Sequence, residues 1–221
     1  MFVKICGITN EEDALLAVAL DADAVGFVFA PSKRQVAVGR ARDIARRLPP
    51  EILTVGVFRD ELPQRVVEMV NGAGLRAAQL HGHETVEDTR WVRQRVPFVI
   101  QGFTAGDPAL DRADEYGADA ILVDSATPGA GEVFDWSLAE GAPAGRRVVL
   151  AGGLTPDNVA DAIRRVQPWG VDVATGVESS PGHKDPQKMR TFIATARSAE
   201  PPRHTGQGIA PYDWQEDLDD G

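Results

Sequence analysis

Eight short runs of apolar, largely β-branched residues recur at a steady interval along the chain, and they restrict what it can fold into. They are Phe2–Cys6, Ala24–Phe29, Leu53–Phe58, Ala77–His81, Phe98–Gln101, Ala120–Asp124, Val148–Ala151 and Val171–Ala174. Between them the period turns helical, predicting helices over Glu11–Leu20, Gly39–Leu48, Pro63–Val70, Glu84–Arg95, Asp107–Tyr116, Pro156–Val166 and Pro186–Arg197. The sixth connection is weaker, with one or two helical turns at most over Asp135–Glu140. Strands that are apolar almost without interruption are covered on both faces. Eight of them, each followed by a helix, predict a single-domain α/β (β/α)8 barrel. A doubly wound sheet would more often carry five or six strands and a glycine-rich dinucleotide turn after the first. The first turn here is Cys6-Gly7-Ile8-Thr9, without that pattern.

A chain of 221 residues fits one domain with a large core. The pattern assigns residues 1–198 to the barrel and 199–221 to a tail. The tail has Pro201-Pro202, no regular period and six acidic residues against Arg203 alone, so it is expected to be flexible. One cysteine rules out an internal disulfide and fits a reducing compartment. No apolar run reaches membrane-spanning length, and no signal-like stretch opens the chain. The net charge of −10 argues against general nucleic-acid binding, which needs basic surface. The expectation is a cytoplasmic protein with no membrane or nucleic-acid partner, a monomer or weak homodimer that binds a small phosphorylated molecule.

In a barrel of this kind, chemistry is carried at the carboxyl ends of the strands and on the loops that follow. Strand one places Cys6 there, strand four His81 and strand six Asp124. The loop after strand two holds Ser32-Lys33-Arg34. The loops after strands seven and eight read Gly152-Gly153-Leu154-Thr155 and Thr175-Gly176-Val177-Glu178. Glycines ahead of a helix let backbone N–H groups approach an anion, so Gly152, Gly153, Thr175 and Gly176 predict a phosphate site. Tight turns alone would also explain them. Arg34 is either solvated surface charge or a guanidinium clamp on a substrate carboxylate. His81 is either a donor to substrate or a loop histidine with its own partners. A free cysteine is commonly a small apolar packing residue, and Cys6 is open to that reading too.

Asp124 ends an otherwise apolar strand, where a carboxylate is costly unless it serves the barrel mouth. Strand six lies three positions around the barrel from strand one, so Asp124 and Cys6 face a central ligand from nearly opposite sides. A carboxylic acid and a thiolate so placed suit proton delivery and removal at different atoms of a sugar phosphate, which is isomerase chemistry. Lys4 points into the barrel one layer beneath Cys6, and Asp172 interrupts the apolar strand eight beside it. An isolated charge at either position would be expensive, so the two are expected to pair. The pair is either purely structural or functional, with Lys4 helping to keep Cys6 as thiolate while Asp172 orients it, and Asp172 is counted with the substrate-binding residues.

These residues lie within motifs that resemble the phosphoribosylanthranilate isomerase family of tryptophan biosynthesis. The resemblance runs from Lys4-Ile5-Cys6-Gly7-Ile8-Thr9 through Asp23–Phe29, Ser32-Lys33-Arg34, Val55–Phe58 and Gln79-Leu80-His81-Gly82. It continues with Val123-Asp124, Phe134-Asp135-Trp136, Gly152-Gly153-Leu154, Asn158-Val159 and Val171-Asp172-Val173. Gly176-Val177-Glu178 and Pro181–Asp185 close it. It implies an Amadori rearrangement with Asp124 as general acid and Cys6 as base. Arg34 would hold the anthranilate carboxylate, and the seventh and eighth loops the phosphate, with no metal or organic cofactor. Two places depart from the family pattern. Gln101 stands where a lysine is frequent, and Pro128–Val133 is poorer in glycine and lysine. Both bear on substrate affinity. The alternatives are another sugar-phosphate barrel, such as an epimerase, and a non-catalytic barrel that binds a phosphorylated metabolite.

Overall fold

The computed structural model describes residues 1–124 and 145–199. The expected turns at Asp135–Glu140, the Pro128–Val133 loop and nearly all of the acidic tail lie outside the described residues. Eight parallel strands close into a barrel in sequence order. They are β1 (Phe2–Ile5), β2 (Ala24–Val28), β3 (Leu53–Phe58), β4 (Ala77–Leu80), β5 (Phe98–Thr104), β6 (Ala120–Asp124), β7 (Val148–Leu150) and β8 (Gly170–Val173). The ring is sealed where β1 pairs with β8, Lys4 opposite Asp172. A two-stranded antiparallel hairpin, β9 (Glu178–Ser180) and β10 (His183–Lys184), follows β8.

The helices are α1 (Glu11–Ala19), α2 (Val38–Ala45), α3 (Pro63–Ala73), α4 (Val86–Arg93), α5 (Val159–Val166) and α6 (Pro186–Ser198). Local chemistry sets where they start. The Asn10 side chain accepts from the Asp13 amide, Thr85 from Asp88, and Asp185 from both Gln187 and Lys188. Proline occupies the first turn of α3 and α6, where its missing N–H costs nothing. Two expected helices are corrected. Pro108–Tyr116 is a 3-10 segment with a break at Arg112, where φ is −113°. The helix after β7 starts at Val159 rather than Pro156, because Asn158 ties the preceding residues into a loop. Its Oδ1 accepts from the Thr155 amide at 2.8 Å and its Nδ2 donates to the Gly153 carbonyl at 2.9 Å.

Side chains alternate along each strand between two apolar clusters. Outward residues such as Val3, Val25, Val99, Ile121 and Val171 pack under the helices. Inward residues such as Leu53, Val55, Ala77, Ile100, Leu122 and Val149 fill the barrel. Phe2 stacks on Trp169 with ring centroids 4.5 Å apart and helps to plug the amino end. The inward rows of β1, β6 and β8 turn polar toward the opposite end, giving Lys4, Cys6, Asp124 and Asp172. Gln101 lies on an outward row. Its Oε1 accepts from Thr89 of α4 at 2.8 Å, and its Nε2 donates to the Gly102 carbonyl at 3.1 Å. It therefore packs between β5 and α4 rather than at the barrel mouth.

Lys4 is fully buried, and its Nζ lies 2.9 Å from Asp172 Oδ1. Removing one partner of a buried pair leaves an uncompensated charge, at a cost of about 3–5 kcal/mol. Lys4→Met is expected at the low end of that range, because Asp172 borders a cavity. Adding Asp172→Leu should restore much of the loss, read by urea unfolding. An unchanged midpoint in Lys4→Met would show that the pair contributes nothing to stability.

Candidate active site

The polar residues at the carboxyl end are organised around a cavity of about 320 Å³. Asp124, Gly152, Gly153, Asp172, Thr175 and Gly176 all line it, as does Lys188. Cys6, Arg34 and His81 flank it, and each is joined to one of the lining residues. Cys6 shares Lys4 with Asp172, Arg34 Nη2 donates to Thr175 Oγ1 at 3.1 Å, and His81 Nε2 lies 3.2 Å from Asp124 Oδ2. The sequence-derived set is thus one connected constellation.

Gly152 and Gly153 have φ of 82° and 63°, left-handed values that glycine adopts without strain. They bend the seventh loop into the cavity, and Asn158 spends the Thr155 amide in holding that bend. Gly176 lies so close to the Leu154 carbonyl that a Cβ would collide with it, so the seventh and eighth loops form one wall. Lys188 is set in the first turn of α6 by the Asp185 cap and donates to the Glu178 carbonyl at 3.0 Å. An ammonium beside two glycine loops suits an anion.

Cys6 is a buried free thiol. The slot for it exists because β2 carries Gly26 opposite. A Cβ at that position would stand 2.8 Å from Cys6 Sγ and 3.2 Å from Lys4 Cε. Burial pushes the Cys6 thiol up, and this outweighs the lowering from the Lys4 and Lys184 ammonium groups; Asp172 adds to the rise. Lys4 behaves conversely: burial lowers its pKa, but Asp172 and Cys6 raise it further, so it stays charged.

Arg34 is neither solvated nor empty-handed. Its Nε and Nη2 form a bidentate pair with Glu178, both contacts 2.7 Å long. Glu178 also receives Lys184 Nζ at 3.2 Å. Lys184 donates in turn to the carbonyls of Cys6 at 2.6 Å and Ala174 at 3.0 Å. Burial would raise the Glu178 pKa, but the Arg34 hydrogen bonds and the Lys184 charge prevail and hold its carboxyl low. Burial lowers the Lys184 pKa despite Glu178 and Cys6. Sequence reasoning gave no role to Glu178, Lys184, Lys188 or Asn158. The legible signal was Pro181-Gly182, a turn that folds β10 back on β9 and returns Lys184 to Glu178.

A closed (β/α)8 barrel with a polar cavity at its strand carboxyl ends, beside paired glycine loops, has the architecture of a barrel enzyme. The sequence profile of N-(5'-phosphoribosyl)anthranilate (PRA) isomerase matches residues 3–195. The chain belongs to that family. An N-(5'-phosphoribosyl)anthranilate isomerase from Desulforudis audaxviator is 50% identical over 204 residues, covering 89% of this chain and 98% of that protein. The crystal structure of the Thermus thermophilus isomerase has a TM-score of 0.84 at 43% identity, covering 90% of this chain and 99% of that one. An isomerase solved with reduced 1-(o-carboxyphenylamino)-1-deoxyribulose 5-phosphate has a TM-score of 0.79 at 42% identity, with the same coverage.

Because the chain has one cysteine, thiolate absorbance reads Cys6 alone. Titration of the folded protein should place the thiolate above the ordinary thiol range near about 8.5. Lys4→Met removes a lowering charge and should move the transition higher still. A transition at or below the ordinary range in the wild type would contradict the dominance of burial.

Proposed function

We propose that this chain catalyses the Amadori rearrangement of N-(5'-phosphoribosyl)anthranilate to 1-(2-carboxyphenylamino)-1-deoxy-D-ribulose 5-phosphate, with Asp124 as acid and Cys6 as base. The observation that carries this reading is the placement of the two groups on β6 and just after β1, three strands apart around one mouth. Asp124 gives its proton to the furanose ring oxygen as the C1'–O bond breaks and the anthranilate nitrogen lone pair forms a Schiff base. Cys6, as thiolate, takes the proton from C2', and the C–H electrons form the enolamine and neutralise the iminium nitrogen. The enolamine then tautomerises, losing the hydroxyl proton and gaining one at C1', to give the ketone. The nitrogen is the electron sink, so no step calls for a metal or organic cofactor.

Burial makes the thiolate scarce and strongly basic, and a strong base is what removal of a carbon-bound proton needs. In this reading the phosphate lies between Gly152-Gly153 and Thr175-Gly176, with Lys188 at its edge. Arg34, fixed on one side by Glu178, offers its remaining N–H groups to the anthranilate carboxylate. Residues 1–198 are the catalytic unit. A cytoplasmic location accords with a free thiol at the working site, which a reducing compartment preserves.

The change in anthranilate fluorescence on adding fresh substrate reads the reaction directly. Cys6→Ala and Asp124→Asn should each lower kcat by at least about 10²-fold, the low end for acid–base catalysis. A variant that keeps more than a tenth of the rate removes its residue from the scheme. Arg34→Ala should raise KM more than it lowers kcat, by the roughly 1.5–3 kcal/mol of a charge-assisted hydrogen bond. An unchanged KM in a folded variant would return Arg34 to a structural role with Glu178.

A further inference from the structure

Beneath the cavity wall a second inward-facing polar residue on β4 has no part in the scheme above. Gln79 is 1% exposed, two residues before His81 on the same inward row. Its Nε2 lies 2.8 Å from His81 Nδ1, while its Oε1 is a buried atom with no hydrogen-bond partner among the described residues. On the far side of the ring, His81 Nε2 lies 3.2 Å from Asp124 Oδ2. The ring lies against Gly102 of β5, where a Cβ would stand 3.1 Å from His81 Nδ1.

We infer that Gln79 is a positioning residue that fixes the tautomer of His81, so that an Nε2–H faces Asp124 and biases the acid's proton to Oδ1. This rests on Asp124 as the acid. The amide orientation follows from the accounting of buried groups. In either orientation one amide atom is left over, and a leftover carbonyl oxygen is tolerated more often than a leftover buried N–H group. Gln79 therefore donates to His81, and Nδ1 is the acceptor. In a neutral imidazole the other nitrogen then carries the hydrogen, since each tautomer is set by the bond the opposite nitrogen makes. A donor aimed at Asp124 Oδ2 makes that oxygen the acceptor and disfavours a proton on it. The transferable proton is thereby biased to Oδ1, the oxygen the scheme presents to the furanose ring.

Long-range 1H–15N spectra of the full chain labelled in histidine read the tautomer directly. The chain has four histidines, and a His81→Asn sample identifies the signal of interest. At about pH 8 wild-type His81 should be the Nε2–H form. Gln79→Glu places an acceptor at Nδ1, and should reverse the tautomer or give the imidazolium. It should lower kcat by about 10-fold or more, part of the roughly 10²-fold a positioned acid supplies, with KM nearly unchanged. Gln79→Leu leaves Asp124 alone to favour the Nε2–H form, so it should weaken that preference and give a smaller loss. A wild-type Nδ1–H form overturns the inference even if no variant folds. So does a Gln79→Glu protein with an unchanged tautomer, or a reversed one at full kcat. If the wild type did not turn over phosphoribosylanthranilate at all, the proposed function would fail, while the wild-type spectrum would still decide the tautomer.

Discussion

The seam at which the barrel closes is also the floor of the active site, and one ion pair holds it. Lys4 and Asp172 are register partners across β1 and β8, so the backbone ladder that seals the ring brings their side chains together. Their attraction offsets the cost of burying two charges inside an apolar barrel. The consequence reaches the chemistry because Cys6 follows Lys4 on the same inward row. Closing the barrel therefore sets the electrostatic surroundings of the thiol.

A second set of charges approaches Cys6 from above. Arg34, Glu178 and Lys184 form a linked trio that ties the second loop, the eighth loop and the β9–β10 hairpin to the Cys6 carbonyl. Together with Lys4 and Asp172 these groups are three cations and two anions, so their charges balance only when Cys6 is a thiolate. Burial opposes that state in the resting protein and prevails. The site is thus poised rather than pre-ionised: the compensating charge is built in, and the thiolate keeps a high proton affinity. One buried residue, Lys184, joins this electrostatic arrangement to the loop that lines the cavity.

The barrel was legible because a parallel strand buried on both faces leaves an unbroken apolar run, and eight such runs admit few topologies. The positions of Cys6, Asp124 and the glycine loops were legible because barrels carry polar side chains at strand carboxyl ends, where Cys6 and Asp124 break an apolar pattern. The Lys4–Asp172 pair followed from the same logic, since two charges inside a barrel must find each other. Less visible were contacts that depend on loop path. Nothing in the spacing of Arg34 and Glu178 announces a bidentate pair across 144 positions. Gln101 was singled out only by its departure from the family pattern, and strand alternation turns it toward α4. The Gln79 contact is likewise invisible until the ring of His81 has a direction.

The central claim is that one ligand lies between Cys6 and Asp124, with its phosphate on the two glycine loops. A crystal structure of this chain with the reduced carboxyphenylamino-deoxyribulose phosphate tests it most directly. The account predicts C2' within about 3.5 Å of Cys6 Sγ, a near-attack separation, and Asp124 across the sugar from it. It also predicts the phosphate between Gly153 and Gly176, and the carboxylate on Arg34. A ligand whose C2' turns away from Cys6, or whose phosphate is held elsewhere, would contradict it.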